Sequence, residues 1–433
     1  MHLILNKSNH SNRYTRLTLN NGMRLVYEQI PYLRSASVGI WVKSGSRYEN
    51  EINNGVSHFI EHMMFKGTDK MNAREIAQSI ENIGGQMNAF TGKECTCYYA
   101  KTLDEHLGLA LEVLADIFFH SKYAEGDILK ERSVIMEEID MYEDSPDALA
   151  NDMLTTLVWK NSTLGLPVLG TKSTLANCTR ESMLEYISHN YTPKNTVVAV
   201  AGNFDEAFLL NKVTELFGEW TAIGQTEIEQ HTVEYKSKEF VTAVKSIEQV
   251  HACIGLEGFE QEDERLYALL AVNNIFGGNM GSRLFQKIRE ELGLAYSIFS
   301  YPSAYMGNGL FTIYAGMNPK KVKTVFKHVL SEIKDIKKNK LSSEEFEHAK
   351  EQLKGSYILG LESTGSRMNS LGKSELLLNY IRTPDEILEK IETIDMDMAS
   401  DVIDSIFDTE KISIALVGMV DEKTKEAIKT KIN

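Results

Sequence analysis

The 433-residue chain is poor in proline (7) and cysteine (4), and no apolar run approaches the roughly 20 residues needed to span a bilayer. With 42% hydrophobic and 25% charged residues, so little proline leaves no room for long disordered linkers and describes a soluble globular protein. Cys95, Cys97, Cys178 and Cys253 are scattered, which suits a reducing interior better than a disulfide framework. Cys95 and Cys97, two apart on a β-rich run, are expected to pack on one strand face. Positive charge is also short: 46 Lys and Arg against 61 Asp and Glu leave a net charge of −15. A general nucleic-acid binder is thereby disfavoured, because neutralising phosphates needs a basic surface, while cationic peptides and metals remain compatible partners. The N-terminal stretch has only the run His2-Leu3-Ile4-Leu5 before polar residues, so it lacks a secretory core. A cytoplasmic, bacterial setting with no membrane partner is expected.

A chain of this length exceeds one ordinary core, and its two halves look alike. NTVVAVAGNFD (195–205) and KISIALVGMVD (411–421) are each a β-branched strand closed by Gly and then Asp, ahead of an amphipathic helix. Gly202 and Gly418 lie 216 apart, as do Asp205 and Asp421. Upstream, each half repeats a strand, two helices, paired strands and a helix. The pattern predicts an α+β fold of two tandem duplicated domains, each a mostly antiparallel sheet flanked by helices. The expected boundaries are 1–222 and 241–433, joined by a polar linker over 223–240.

In the first half, GVSHFIEHMMFKGT (55–68) reads as an apolar helix interrupted by His58, Glu61 and His62. Residues four apart share a helix face, so the two imidazoles can converge on one ion, with Glu61 flanking them. From composition alone, such a His-x-x-acid-His window is expected roughly 0.04 times in a chain of this size. Two core histidines bonded to each other and to backbone are the plainer alternative. The matching segment of the second half, LLAVNNIFGG, has neither histidine nor acid, so any chemistry sits in one copy.

A second helix, EGDILKERSVIMEEIDMYE (125–143), places Glu131 and Glu138 on a stripe with Ile128, Ile135 and Tyr142 that should be buried. Carboxylates on an apolar face call for a partner or a cation. His58, His62 and Glu138 would form a two-histidine, one-carboxylate zinc site with a fourth position open to water, and Glu61 would be its general base. Glu131 is then a supporting acid beyond the ligands or, on the other reading, an internal salt-bridge partner.

These residues carry a resemblance. His58-Phe-Ile-Glu61-His62, followed after 75 residues by Glu138, resembles the inverted zinc signature of the pitrilysin, insulin-degrading enzyme and mitochondrial processing peptidase family. The resemblance implies one zinc ion per chain on His58, His62 and Glu138, Glu61 as base, and Glu131 in support. It also marks Gly85, Asn88, Ala89, Phe90 and Thr91 as an edge strand that pairs with substrate. In the second half, Arg289-Glu-Glu-Leu-Gly-Leu-Ala-Tyr296 resembles the family's Arg and Tyr, which reach the peptide from the opposite half of a closed chamber. Read without the family, Arg289 is a salt-bridged helix residue and Tyr296 a strand aromatic. Leu164-Gly-Leu-Pro-Val-Leu-Gly170-Thr resembles a further family segment, whereas Asn161-Ser-Thr-Leu-Gly-Leu-Pro lacks the family's Pro-Leu-Gly-Arg wording. The implied protein is a zinc endopeptidase of unfolded peptides, closed as a homodimer in which each chain completes the other's site. A non-catalytic peptide-binding subunit of the same fold is the alternative.

Overall fold

The computed structural model describes residues 14–221 and 233–431. The expected linker over 223–240 lies outside the described residues up to 232, and 233–239 form no regular element. Contacts divide the chain into two compact units, one from Met1–Ile139, Leu166–Glu229 and Leu359–Thr383, the other from Asp140–Gly165, Gln230–Ile358 and Pro384–Asn433.

The first unit is built on a six-stranded sheet of β1 (Thr15–Thr18), β2 (Arg24–Gln29), β3 (Ser35–Val42), β4 (Gln86–Thr91), β5 (Thr96–Leu103) and β6 (Thr196–Gly202). The order is β1-β2-β6-β3-β5-β4, antiparallel except for the parallel pair β2 and β6. Four helices of this unit matter for the site: α1 (Val56–Met64), α2 (Ala73–Glu81), α3 (Leu107–His120) and α4 (Glu125–Asp144), whose last five residues cluster with the second unit. Val38, Ile40, Val198 and Val200 share a core with Phe59, Met63, Ile80, Leu111 and Leu114.

The second unit's sheet comprises β7 (Phe240–Ala243), β8 (Val250–Glu257), β9 (Ala295–Tyr305), β10 (Asn308–Met317) and β11 (Ser413–Val417), in the order β7-β11-β8-β10-β9. Strand for strand it repeats β2-β6-β3-β5-β4, including one parallel pair, β7 with β11. Gly202 and Gly418 both adopt the left-handed region, at φ 133° and 131°. In each case an added Cβ would meet backbone, the Ser35 oxygen at 2.3 Å and the Gln249 oxygen at 2.7 Å. Asp205 and Asp421 each cap the following helix, accepting from the Phe208 and Thr424 amides. The duplication read from two short sequence runs therefore extends to backbone conformation.

Compactness divides the chain differently from the contiguous halves 1–222 and 241–433. The central strands explain why: β6 is buried at all seven positions and β10 at all ten, so both faces of each sheet need a cover. One face is covered by helices of the same half. The other is covered by a helix from the opposite half of the sequence. In the first unit, helix Thr364–Leu378 lies on β3 and β6, where Trp41 Nε1 donates to Met368 Sδ at 3.3 Å and buried Glu375 receives Arg16 at 2.7 Å. In the second, α5 (Pro146–Val158) sets Ala150, Leu154 and Val158 against Cys253, Ala415 and Val417.

Because no side chain fits at either of the two matching turns, Gly202→Ala and Gly418→Ala are expected to destabilise the fold by about 1–3 kcal/mol each. Scanning calorimetry should show a lowered melting temperature for both, and unchanged melting of either variant would contradict the matched-turn account.

Candidate metal centre

The N-terminus of α1 is fixed before its histidines are reached. Gly55 supplies no side-chain cap and enters at φ 91°, against the backbone of Leu169 and Gly170. The capping group comes instead from Glu49, six residues upstream and buried. Its carboxylate accepts from the amides of Gly55 (2.7 Å) and Ser57 (2.8 Å) and from Asn54 Nδ2 (2.9 Å). Asn54 Nδ2 also donates to the Pro167 oxygen at 2.9 Å. Residues 167–170, within the segment that resembles the family, thus brace this helix end. Burial drives the Glu49 pKa upward, and the three donors only partly offset it.

From this anchor α1 presents His58, Glu61 and His62 toward α4. The imidazole rings stand edge to face with centroids 4.6 Å apart. Glu138 Oε2 lies 3.7 Å from His58 Nε2 and 3.5 Å from His62 Nε2. Among the described residues this trio is the one group of three such side chains with potential ligand atoms all within 4.8 Å of one another. Tetrahedral zinc with bonds near 2.0–2.2 Å needs ligand atoms roughly 3.3–3.6 Å apart, and the two distances from Glu138 come near that range.

The protonation pattern also suits a metal. Burial, followed by the neighbouring His62, lowers the His58 pKa to about 4, leaving a neutral ring with a free lone pair. Its Nδ1 is buried without a hydrogen-bond partner among the described residues. For His62, burial opposes the proton, but hydrogen bonds to Glu138 and Glu131 prevail and raise its pKa. The His62 hydrogen bond, against burial, holds Glu138 below the usual carboxylate value. Two carboxylates facing one imidazole mark a place where a cation is favoured.

Glu131 faces both His62 and a lysine. Its Oε2 lies 3.2 Å from His62 Nδ1 and its Oε1 2.7 Å from Lys66 Nζ. With Nδ1 donating to Oε2, Nε2 is left for a ligand bond. Lys66, which pattern reading did not identify, balances the second carboxylate. The stripe on α4 holds for Ile128, Glu131 and Ile135 but then moves to Ile139, leaving Glu138 half-buried and Tyr142 42% exposed. The cause is the helical period, which shifts the buried line by one residue and turns Glu138 toward α1.

The residues read as a substrate strand form β4, preceded by Gly85. It lies at the sheet edge, hydrogen-bonded to β5 alone, with Asn88 and Phe90 exposed and Ala89 and Thr91 half-buried. Thr91 Oγ1 donates to Glu61 Oε2 at 2.5 Å, a contact pattern reading missed. Burial raises the Glu61 pKa, partly offset by Thr91. In the second unit, Arg289 lies on a π-helical turn, Phe285–Glu291, with its guanidinium 5.5 Å from the Tyr296 ring. Its nearest acid, Glu290, is at 3.7 Å, and Tyr296 is 71% exposed. The helix matching α1, Leu266–Phe276, carries Asn273, which accepts from Ser300 Oγ at 2.7 Å. All four cysteines are free and buried.

A duplicated α+β fold with an inverted two-histidine, one-glutamate centre in one copy defines a class of metal-dependent peptidases. Residues 24–172 match the family described as Insulinase (Peptidase family M16), and residues 177–353 match Peptidase M16 inactive domain. The chain belongs to peptidase family M16. It is 45% identical over 407 residues to the uncharacterized zinc protease YmxG of Bacillus subtilis, covering 93% of this chain and 98% of that one. It is 38% identical over 415 residues to an uncharacterized zinc protease of Streptomyces coelicolor, covering 94% and 90%. Among solved structures, a protease from Helicobacter pylori superposes with TM-score 0.89 at 20% identity, over 94% of this chain and 99% of that one. An M16 inactive domain from Pseudomonas fluorescens gives 0.86 at 17%, over 94% and 98%. These structures support the fold.

Glu49→Ala would leave two helix-terminal amides without their acceptor, a loss of about 1–3 kcal/mol. Faster hydrogen exchange at the Gly55 and Ser57 amides and a lower denaturation midpoint are expected. Wild-type protection at both would show that the helix end does not depend on Glu49.

Proposed function

We propose that the chain is a zinc-dependent endopeptidase of unfolded peptides, binding one ion per chain through His58, His62 and Glu138. The single observation carrying this reading is the convergence of both Nε2 atoms on one Glu138 oxygen, with a further carboxylate, Glu61, left outside the trio. A zinc ion, when bound, supplies Lewis acidity that polarises a scissile carbonyl and makes a water more acidic. Glu61 takes the proton of the attacking water and passes it to the leaving amine. Glu131 keeps the His62 tautomer and orientation.

The peptide adds as a strand to the free edge of β4, along Asn88, Ala89, Phe90 and Thr91, with Gly85 at its start. Main-chain pairing gives affinity with little sequence demand and restricts substrates to extended segments. The exposed Tyr296 and the half-buried Arg289 beside it contact the peptide and the developing oxyanion from a second copy of the chain in a closed homodimer. The free cysteines and bacterial relatives support a cytoplasmic setting. Among the described residues no helix is long and apolar enough to cross a membrane.

Glu61→Gln should retain zinc, measured by elemental analysis, while peptide cleavage falls at least about 100-fold. Undiminished cleavage would remove Glu61 as base. The alternative of a non-catalytic peptide-binding subunit predicts chelator-insensitive peptide binding and no turnover in the wild type. Completion of each site by the other chain is tested by mixing Glu61→Gln with Tyr296→Phe protein. Activity above that of either alone is expected, because one site of the mixed dimer then holds both groups. Activity no higher than the average of the two would assign Tyr296 to its own chain or to no catalytic part.

A further inference from the structure

The substrate strand and the base are joined by one side chain. Thr91 is the last paired residue of β4, opposite Thr96 of β5, and its hydroxyl is the one hydrogen-bond donor to Glu61 among the described residues. Thr91 Oγ1 also lies 3.3 Å from Thr96 Oγ1, but the Thr96 proton is committed to the Ser44 oxygen at 2.9 Å. A hydroxyl has a single proton, and the closer acceptor takes that of Thr91.

The strand end bearing this hydroxyl is clamped. The Gly92 amide closes the turn onto the Cys95 oxygen at 2.8 Å, and the Ser46 and Arg47 amides donate to the oxygens of Gly92 and Lys93 at 3.3 and 2.8 Å. Arg47 meets Glu94 at 2.6 Å, with both side chains buried. Phe90 packs edge to face on Trp41, with centroids 5.5 Å apart. A donor on so rigid an element fixes the carboxylate it holds.

We propose that Thr91 is a positioning residue for the peptidase reaction: its hydroxyl holds Oε2 of Glu61, fixing the carboxylate in register with a peptide on β4 and leaving Oε1 for the water. This rests on Glu61 being the base, and it moves Thr91 from a substrate contact to a link between substrate strand and base. The link acts on the chemical step and leaves peptide affinity unchanged.

Thr91→Val keeps the branched shape and strand preference but removes the hydroxyl, whereas Thr91→Ser keeps the hydroxyl. On a quenched peptide with zinc-loaded protein, Thr91→Val should lower kcat on the order of tenfold with KM within about twofold, and Thr91→Ser should restore kcat. Peptide Kd, measured by fluorescence anisotropy in a Glu61→Gln background, should be the same with and without Thr91→Val. A wild-type kcat in Thr91→Val, or a loss confined to KM and Kd, would overturn the proposal, the latter making Thr91 a substrate contact. Crystal structures of the two variants test the link without turnover. Displacement of the Glu61 carboxylate in Thr91→Val alone supports it, and an unmoved carboxylate overturns it. Glu61→Gln protein as active as wild type would instead remove the base assignment and leave those crystallographic outcomes to decide whether Thr91 positions Glu61.

Discussion

The buried carboxylate of Glu49 on the first amides of α1 is the interaction on which the site depends. A helix end leaves amide donors without partners, and an end inside the protein cannot give them to water. Glu49 satisfies the Gly55 and Ser57 amides, and residues 167–170 close over the same end. The helix therefore starts at one defined residue. His58, Glu61 and His62 inherit their positions from that start, since a one-residue slip would rotate each side chain by about 100°. Glu138 and Glu131 then meet the two histidines from α4, and Thr91 meets Glu61 from the sheet edge.

The duplication shows how much of this belongs to the fold and how much to the chemistry. Both units solve the same packing problem with a sheet buried on both faces, a left-handed glycine at the end of β6 or just past β11, and a capping aspartate. Only one carries histidines and a carboxylate on the first helix of the motif. Where the first unit has His62 near the end of α1, the second has Asn273 bonded to Ser300, which satisfies a buried polar group locally and leaves nothing for an ion. The second unit instead exposes Tyr296 next to Arg289, on a π-helical turn of a kind often found where function has displaced regular geometry.

Much of this was legible in the sequence because it depends on local period. The four-residue step between His58 and His62, the Gly and Asp markers 216 apart and the repeated order of strands and helices all follow from side-chain spacing and turn chemistry. What was not legible depends on three-dimensional closure. Nothing local says that α5 and helix Thr364–Leu378 each cover the sheet of the opposite half, because an amphipathic face does not name its partner. Glu49 looks like any loop acid until the helix end folds onto it, and Lys66 like a solvent lysine until Glu131 reaches it. Burial of Tyr142 was expected by extending a stripe one turn too far.

The central claim is that His58, His62 and Glu138 together hold one zinc ion with a position left open. Zinc X-ray absorption on stoichiometrically loaded protein tests it most directly. The account predicts two imidazoles and light oxygen donors at about 2.0–2.2 Å, with one imidazole fewer in His62→Ala. A sulfur donor near 2.3 Å, or an unaltered shell in His62→Ala, would contradict it.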